Sequence, residues 1–222
     1  MSEKNNIRHI IAASFRENIK PGLVLQTLAL AMLLLYYFAP PVRAGFDTIG
    51  RWKQDGGFAF SAVSTSFFGG VVPFLLMLFT GKIAPEKRLR LFLFYSLFWL
   101  WKGVEVDLLY RCQAIWYGDS NHWLVVAKKV MTDQFVYCPI WAVPTMMIFY
   151  LWKDSDFNLG EVKRKLREVS FFQRWLRILV SNIVVWVPAV CVIYMLPLTL
   201  QIPLFNLVLV FWTLILTSVS EK

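Results

Sequence analysis

The sequence predicts an all-α fold, a polytopic transmembrane helix bundle with amphipathic helices at its edges. Three observations carry this reading. Hydrophobic residues fill 58% of the 222 positions. They gather into six nearly uncharged blocks, at 21–39, 58–80, 89–101, 134–152, 178–197 and 203–219. Cations collect between the blocks. A soluble domain must turn much of every element to water, which breaks its apolar residues into shorter runs. Crossing the hydrocarbon takes ~20 apolar residues at ~1.5 Å each. Five blocks meet or approach that length, and 89–101 reaches it only with its polar continuation. The expectation is four to six spans in a single integral membrane domain, 1–222.

The elements follow in order. In 1–20, Ile7, Ile10, Ile11, Phe15 and Ile19 recur at helical spacing, with Arg8, Arg16 and Lys20 on the rest of the turn. This amphipathic segment is expected on a membrane face. The block at 21–39 is long for a signal-peptide core and lacks a small-x-small cleavage site, so it reads as a retained span. Pro40-Pro41 closes it, and "AGFDTIGRWKQDGG" reads as a turn-rich loop. "SAVSTSFFGGVVP" then sets Ser61, Ala62, Ser64, Ser66, Gly69 and Gly70 in one span. Small residues let helix backbones approach in lipid, so a packing face is the first reading and a pore lining the second.

After the basic loop "GKIAPEKRLR", a helix without internal proline is expected from Leu89 to Tyr117. On it Lys102 and Glu105 are i,i+3, and Asp107 and Arg111 are i,i+4, spacings that meet on a helix surface. "GDSNH" ends it, with Asp119 or Ser120 as N-cap of the next helix. "KKVMTDQFVYCPIW" opens the following span on two cations, an acid and an amide. Lys129 and Asp133 are i,i+4, so Asp133 is expected ionised against Lys129 or against a cation from 102–111. Gln134 should bond a neighbouring helix, because its buried amide needs a partner.

"KDSDFNLGE" fails as an EF-hand, since the glycine falls one place late at Gly160 and Lys165 stands where a bidentate Glu is required. Asn158 with Glu161 instead forms a capping box. It opens a basic interfacial helix over 158–177, with Val162, Leu166, Val169 and Phe172 on one side. Lys163, Arg164, Lys165, Arg167 and Arg174 surround that stripe, facing lipid headgroups. Anionic membrane lipid is the expected partner. A span ending near Pro197, a connector "LTLQIP" and a final span complete the chain. With six crossings, 16 of the 23 Lys and Arg fall on one side, which places both termini on the cytosol-like face.

The net charge of +9 comes with no nucleic-acid motif, so nucleic acid is not an expected partner. Cys112, Cys138 and Cys191 are widely spaced and read as packed thiols, with no disulfide framework and no metal site. No cofactor is expected. His9 and His122 lie outside HExxH and nucleophile motifs, so no enzyme is expected.

From Lys128 onward the chain resembles the Mpv-type family of peroxisomal and mitochondrial inner-membrane proteins. The residues that carry the resemblance are Lys129, Asp133, Gln134 and Pro139 at the mouth of a span, then Trp186 and Pro188, Pro197, and Trp212. Earlier, "FFGGVVPFLLMLFTGK" is similar to the family's glycine-proline motif. Cys191 and Gln201 stand where the family has other polar residues, and 85–120 reads as an insertion. The resemblance implies a small channel or transport-linked protein of a mitochondrial inner or peroxisomal membrane; in a bacterium the setting would be the plasma membrane.

Two functions follow. One is a channel-like or solute-permeability role built on Lys102, Glu105, Asp107, Arg111, Lys129, Asp133 and Gln134, because ionisable groups retained in lipid face a cavity or one another. The other is a non-transporting scaffold or regulator that grips anionic lipid or a partner protein. A homo-oligomer is compatible with both.

Overall fold

The computed structural model describes residues 3–168 and 170–219, and the side chains of 7–167 and 170–212. Every regular element among them is helical. They are α1 (Glu3–Phe38), α2 (Pro40–Thr65), α3 (Val72–Phe79), α4 (Arg88–Tyr117), α5 (Trp123–Thr132), α6 (Val143–Lys153), α7 (Leu159–Glu168), α8 (Phe171–Tyr194) and α9 (Leu198–Val219). Two wider π-helical segments, Ser66–Val71 and Asp133–Ala142, join α2 to α3 and α5 to α6. Both have a proline at hand, Pro73 just after the first and Pro139 inside the second. A proline has no N–H and crowds the carbonyl of the preceding turn, and a π turn is one way to absorb that misfit.

Among the described residues, four helices are long and apolar enough to cross a membrane: Ile7–Phe38, Pro40–Phe79, Trp123–Lys153 and Phe171–Tyr194. The exposed surface carries Leu23, Leu30, Phe38, Val63, Phe67, Phe79 and Ile140, while Lys53, Asp107, Lys129, Asp133, Gln201 and Asn206 are buried. So much exposed apolar surface beside buried ionisable groups departs from a soluble domain and suits a lipid solvent. The protein is an integral membrane helical bundle. α4 has 30 residues, ~45 Å at ~1.5 Å per residue, but its second half is ionisable. The apolar helix Leu198–Trp212 is shorter than the four.

Several elements differ from expectation. The expected loop after Pro40-Pro41 is helical, because the two prolines take the first helical positions, where a missing N–H costs nothing and φ is preset. The break comes later, at Gly57, whose φ of 52° and ψ of −129° lie where glycine alone is comfortable. α1 runs unbroken through Pro21. In its first part Ile10, Ser14 and Asn18 are buried on one side, while Ile11 and Phe15 are exposed together with Arg8, Arg16 and Lys20, so the apolar stripe is split between the two faces. "LTLQIP" belongs to α9, which starts at Leu198 just after Pro197 and carries Pro203 internally. The basic segment 158–177 is two pieces: α7 holds Lys163, Arg164, Lys165 and Arg167, and Arg174 lies in α8. Val169 lies outside the described residues.

The chain divides into two compact units, Met1–Val24 with Val130–Pro188, and Leu25–Lys129 with Ala189–Lys222. In the second unit α2 packs on α4 and α9, and the Ser66–Val71 turn packs on α4. The small residues make this possible. A methyl on Gly70 would stand 2.7 Å from the Tyr95 carbonyl oxygen, and one on Gly103 would run into the Ser61 carbonyl. At Gly70 the small-residue stripe is therefore a packing face.

Candidate functional site

The second unit holds a polar seam along one face of α2. Lys53, Gly57, Ser61 and Thr65 recur every four residues, so they stack on one side of the helix; Lys53, Ser61 and Thr65 are all buried. The seam begins at a charged cluster. Asp107 on α4 is 2% exposed, and its Oδ2 accepts hydrogen bonds from Lys53 Nζ and Ser61 Oγ, both at 2.9 Å. Its Oδ1 faces Arg111 Nε at 3.2 Å. Lys53 Nζ also donates to the Gly57 carbonyl at 3.2 Å, and Ser61 Oγ to the same carbonyl at 3.3 Å. The break at Gly57 thus turns a backbone acceptor toward the cation. The Arg111 guanidinium lies 4.5 Å from the centre of the Phe58 ring, a cation–π contact that covers its less buried side.

Two turns further, Thr65 Oγ1 donates to Asn206 Oδ1 at 2.8 Å, and Asn206 Nδ2 donates to Ser64 Oγ at 2.9 Å. Ser66 Oγ donates to the Ser96 carbonyl at 2.8 Å. Three helices, α2, α4 and α9, are therefore tied by side-chain hydrogen bonds where hydrocarbon solvent would supply none. From Lys53 to Thr65 the seam extends ~18 Å at ~1.5 Å per residue.

The sequence-predicted site residues divide among separate clusters. Asp107 and Arg111 join Lys53 in the seam. Lys102 and Glu105 pair at 2.8 Å, with the ammonium 4.7 Å from the Trp101 ring centre. Lys129, 1% exposed, lies 3.5 Å from Asp119 and 5.8 Å from the centre of the Tyr194 ring. Its carbonyl accepts from Gln113 Nε2 at 3.3 Å. The expected pairing of Asp133 with Lys129 is thus corrected. The backbone from Lys129 to Thr132 is α-helical, but Lys129 turns to Asp119, Asp133 accepts from Gln134 and Cys138, and Arg111 is turned to Asp107. The expected cap of α5 also moves: His122 Nδ1 accepts from the Leu124 N–H at 3.4 Å, in place of Asp119 or Ser120.

In the first unit Asp133 Oδ1 accepts from Gln134 Nε2 at 3.1 Å and from the Cys138 thiol at 3.5 Å. Gln134 Oε1 accepts from Asn182 Nδ2 at 3.1 Å, so Gln134 ties its helix to α8 as expected. Asn18 Nδ2 donates to Ser181 Oγ at 2.9 Å. The Pro139 carbonyl, freed near the wide turn, accepts from Trp175 Nε1 at 2.9 Å. Trp186 and Pro188 lie within α8, Pro197 at the α8–α9 turn, and Trp212 on α9. On α7, Asn158 Oδ1 accepts from the N–H groups of Gly160 and Glu161 at 2.8 and 3.3 Å. The reciprocal half of the capping box is replaced: the Asn158 N–H donates to the Ser155 carbonyl, and Glu161 turns to Arg164 at 2.8 Å. Arg164 holds the Glu161 carboxyl below the usual range.

Sequence reasoning missed Lys53, Asn206 and Asn182. A lone amide inside an apolar block was the available signal for the last two, since such a group must find a partner. Lys53 was hidden by the loop assignment; its four-residue spacing to Gly57, Ser61 and Thr65 was the signal. Fold and site together define an integral membrane helical protein with a buried ionic and amide network. Comparison of the chain with family models, with curated proteins and with solved structures finds no match in any of the three.

Proposed function

We propose that this chain has a channel-like or solute-permeability role in an internal or inner membrane, with the α2 seam as its polar pathway. The observation that supports this is the buried Lys53–Asp107–Ser61 cluster continuing into Thr65, Ser64 and Asn206. Buried ionisable groups are costly in a membrane protein, and they mark solute and ion routes more often than they mark simple packing. Lys53 and Arg111 stand at one end, and the neutral hydroxyl and amide groups follow along the helix. This reading is non-enzymatic and needs no cofactor. The resemblance to the Mpv-type family agrees with it and suggests a mitochondrial inner or peroxisomal membrane.

A second reading is a non-transporting scaffold or regulator. It is favoured by the closed bonding of the seam, in which Asp107 accepts three charged or hydroxyl donors and Asn206 uses both ends of its amide. Accessibility separates the two. In a chain with Cys112, Cys138 and Cys191 replaced by alanine, Ser61→Cys and Thr65→Cys are reconstituted and treated with a small water-soluble thiol reagent. A pathway labels both positions; a sealed clamp labels neither, and that result overturns the pathway.

A further inference from the structure

The first unit contains a cavity of about 670 Å³ lined by both apolar and charged side chains. Ile10, Met147, Leu151 and Ile178 give it apolar surface, and Arg174 and Arg177, three residues apart on α8, give it two cations. Its volume lies within the range of ~300–1,000 Å³ typical of sites for small molecules and cofactors. Arg174 Nε is buried without a hydrogen-bond partner among the described residues, and no carboxylate among those residues pairs with either guanidinium. The lining carboxylate, Asp154, lies 2.9 Å from Lys153 Nζ, which offsets its charge. The two cations are therefore left to an outside anion.

The position of the site in the fold says what kind of anion this is. Arg174 and Arg177 occupy the first two turns of α8, and Leu151 and Asp154 mark the end of α6. Both helices belong to candidate membrane spans. Trp152 and Phe157 pack edge to face at 4.9 Å, and Phe172 and Trp175 pack at 5.5 Å, so aromatic pairs flank both helix ends, as at a headgroup boundary. Guanidinium groups match phosphate oxygens with paired donors. An apolar wall next to them matches a hydrocarbon chain.

We propose that this cavity binds an anionic phospholipid, with its phosphate on Arg174 and Arg177 and part of an acyl chain against Ile10, Met147, Leu151 and Ile178. The site is independent of the α2 seam, and flux through that seam does not read it.

The test uses the full chain in uncharged detergent and phosphatidylglycerol bearing a photoreactive group on its acyl chain. Crosslinks are expected at residues 146–151 and Ile178, and crosslinking that maps elsewhere overturns the assignment. Phosphatidylglycerol should bind at least about tenfold more tightly than phosphatidylcholine, which carries the same phosphate but adds a choline cation that the two guanidinium groups repel. Arg174→Gln/Arg177→Gln should abolish that preference, and equal binding of the two lipids, or a preference that survives the substitutions, overturns the proposal. Soluble glycerol phosphate separates a lipid from a free phosphate source. It should fail to displace the lipid at equal concentration, and displacement would refute the role of the acyl chain. The crosslinking map is read on the unmodified chain, so it stands even where the double variant folds poorly.

Discussion

Asp107→Asn is the substitution that probes the buried cluster most sharply. The amide keeps the shape of the side chain but removes its charge, and one of its two polar atoms becomes a donor. Lys53 at 2.9 Å and Arg111 at 3.2 Å lose their counter-charge, and one of them faces an NH₂. Arg111 has a remedy, because its guanidinium is partly exposed and rests on Phe58. Lys53 has little: it is 3% exposed and retains only the Gly57 carbonyl. Breaking a buried pair from one side costs about 3–5 kcal/mol, whereas replacing both partners with apolar residues of similar volume is often neutral. Asp107→Asn should therefore destabilise by about 3–5 kcal/mol, and Lys53→Met with Asp107→Leu by much less than either single change. The assay is reversible unfolding in detergent, run as a double-mutant cycle. A cost for Asp107→Asn below about 1 kcal/mol, the value of an exposed pair, would refute the claim that Lys53 and Asp107 act as a buried pair.

Other outcomes follow from the same geometry. Gly103→Val should destabilise by about 1–3 kcal/mol through overpacking against Ser61 and Thr65, while Gly45→Ala, with open space around it, should be neutral or mildly stabilising; thermal midpoints compare them. Asn158→Ala removes the one acceptor, Oδ1, of two N–H groups at the start of α7 and should cost about 1 kcal/mol, seen as faster hydrogen exchange at Gly160 and Glu161. Arg164→Gln should raise the titration midpoint of Glu161 toward the ordinary value of about 4.3. The sign is that of a carboxyl depressed in the folded state, so any stability it adds is present above that pH and fades as pH falls through the folded midpoint. Nuclear magnetic resonance of the side-chain carboxyl reads the shift.

Helix existence was legible because block length and the i,i+3 and i,i+4 pairs are local properties. Lys102–Glu105 and Asp107–Arg111 formed where their spacing puts them. The stretch after Pro40 was not legible. In a soluble context "DTIGRWKQDGG" is turn chemistry, and the buried role of Lys53 depends on a carboxylate 54 residues away. The Lys129–Asp133 expectation failed for a related reason: Lys129 faces a carboxylate outside its own helix, Asp119, and helical spacing alone does not show that competitor. The burial of Ser14 and Asn18 on α1 was not legible, because their neighbours, Ser181 among them, are far away in sequence. Gln134 was readable since a buried amide needs a partner whatever the topology, although that partner, Asn182, was not.

The most direct measurement of the central claim is solute flux and conductance in liposomes containing the full chain, beside Lys53→Met/Asp107→Leu. The double substitution removes the buried Lys53–Asp107 pair from the seam's end and leaves Arg111, which is partly exposed and rests on Phe58, so the bundle should stay near its original stability. The account predicts flux above empty vesicles for the unmodified chain, and a marked loss for the double variant at unchanged thermal stability. Flux indistinguishable from empty vesicles, or flux that the double variant leaves untouched, would contradict it.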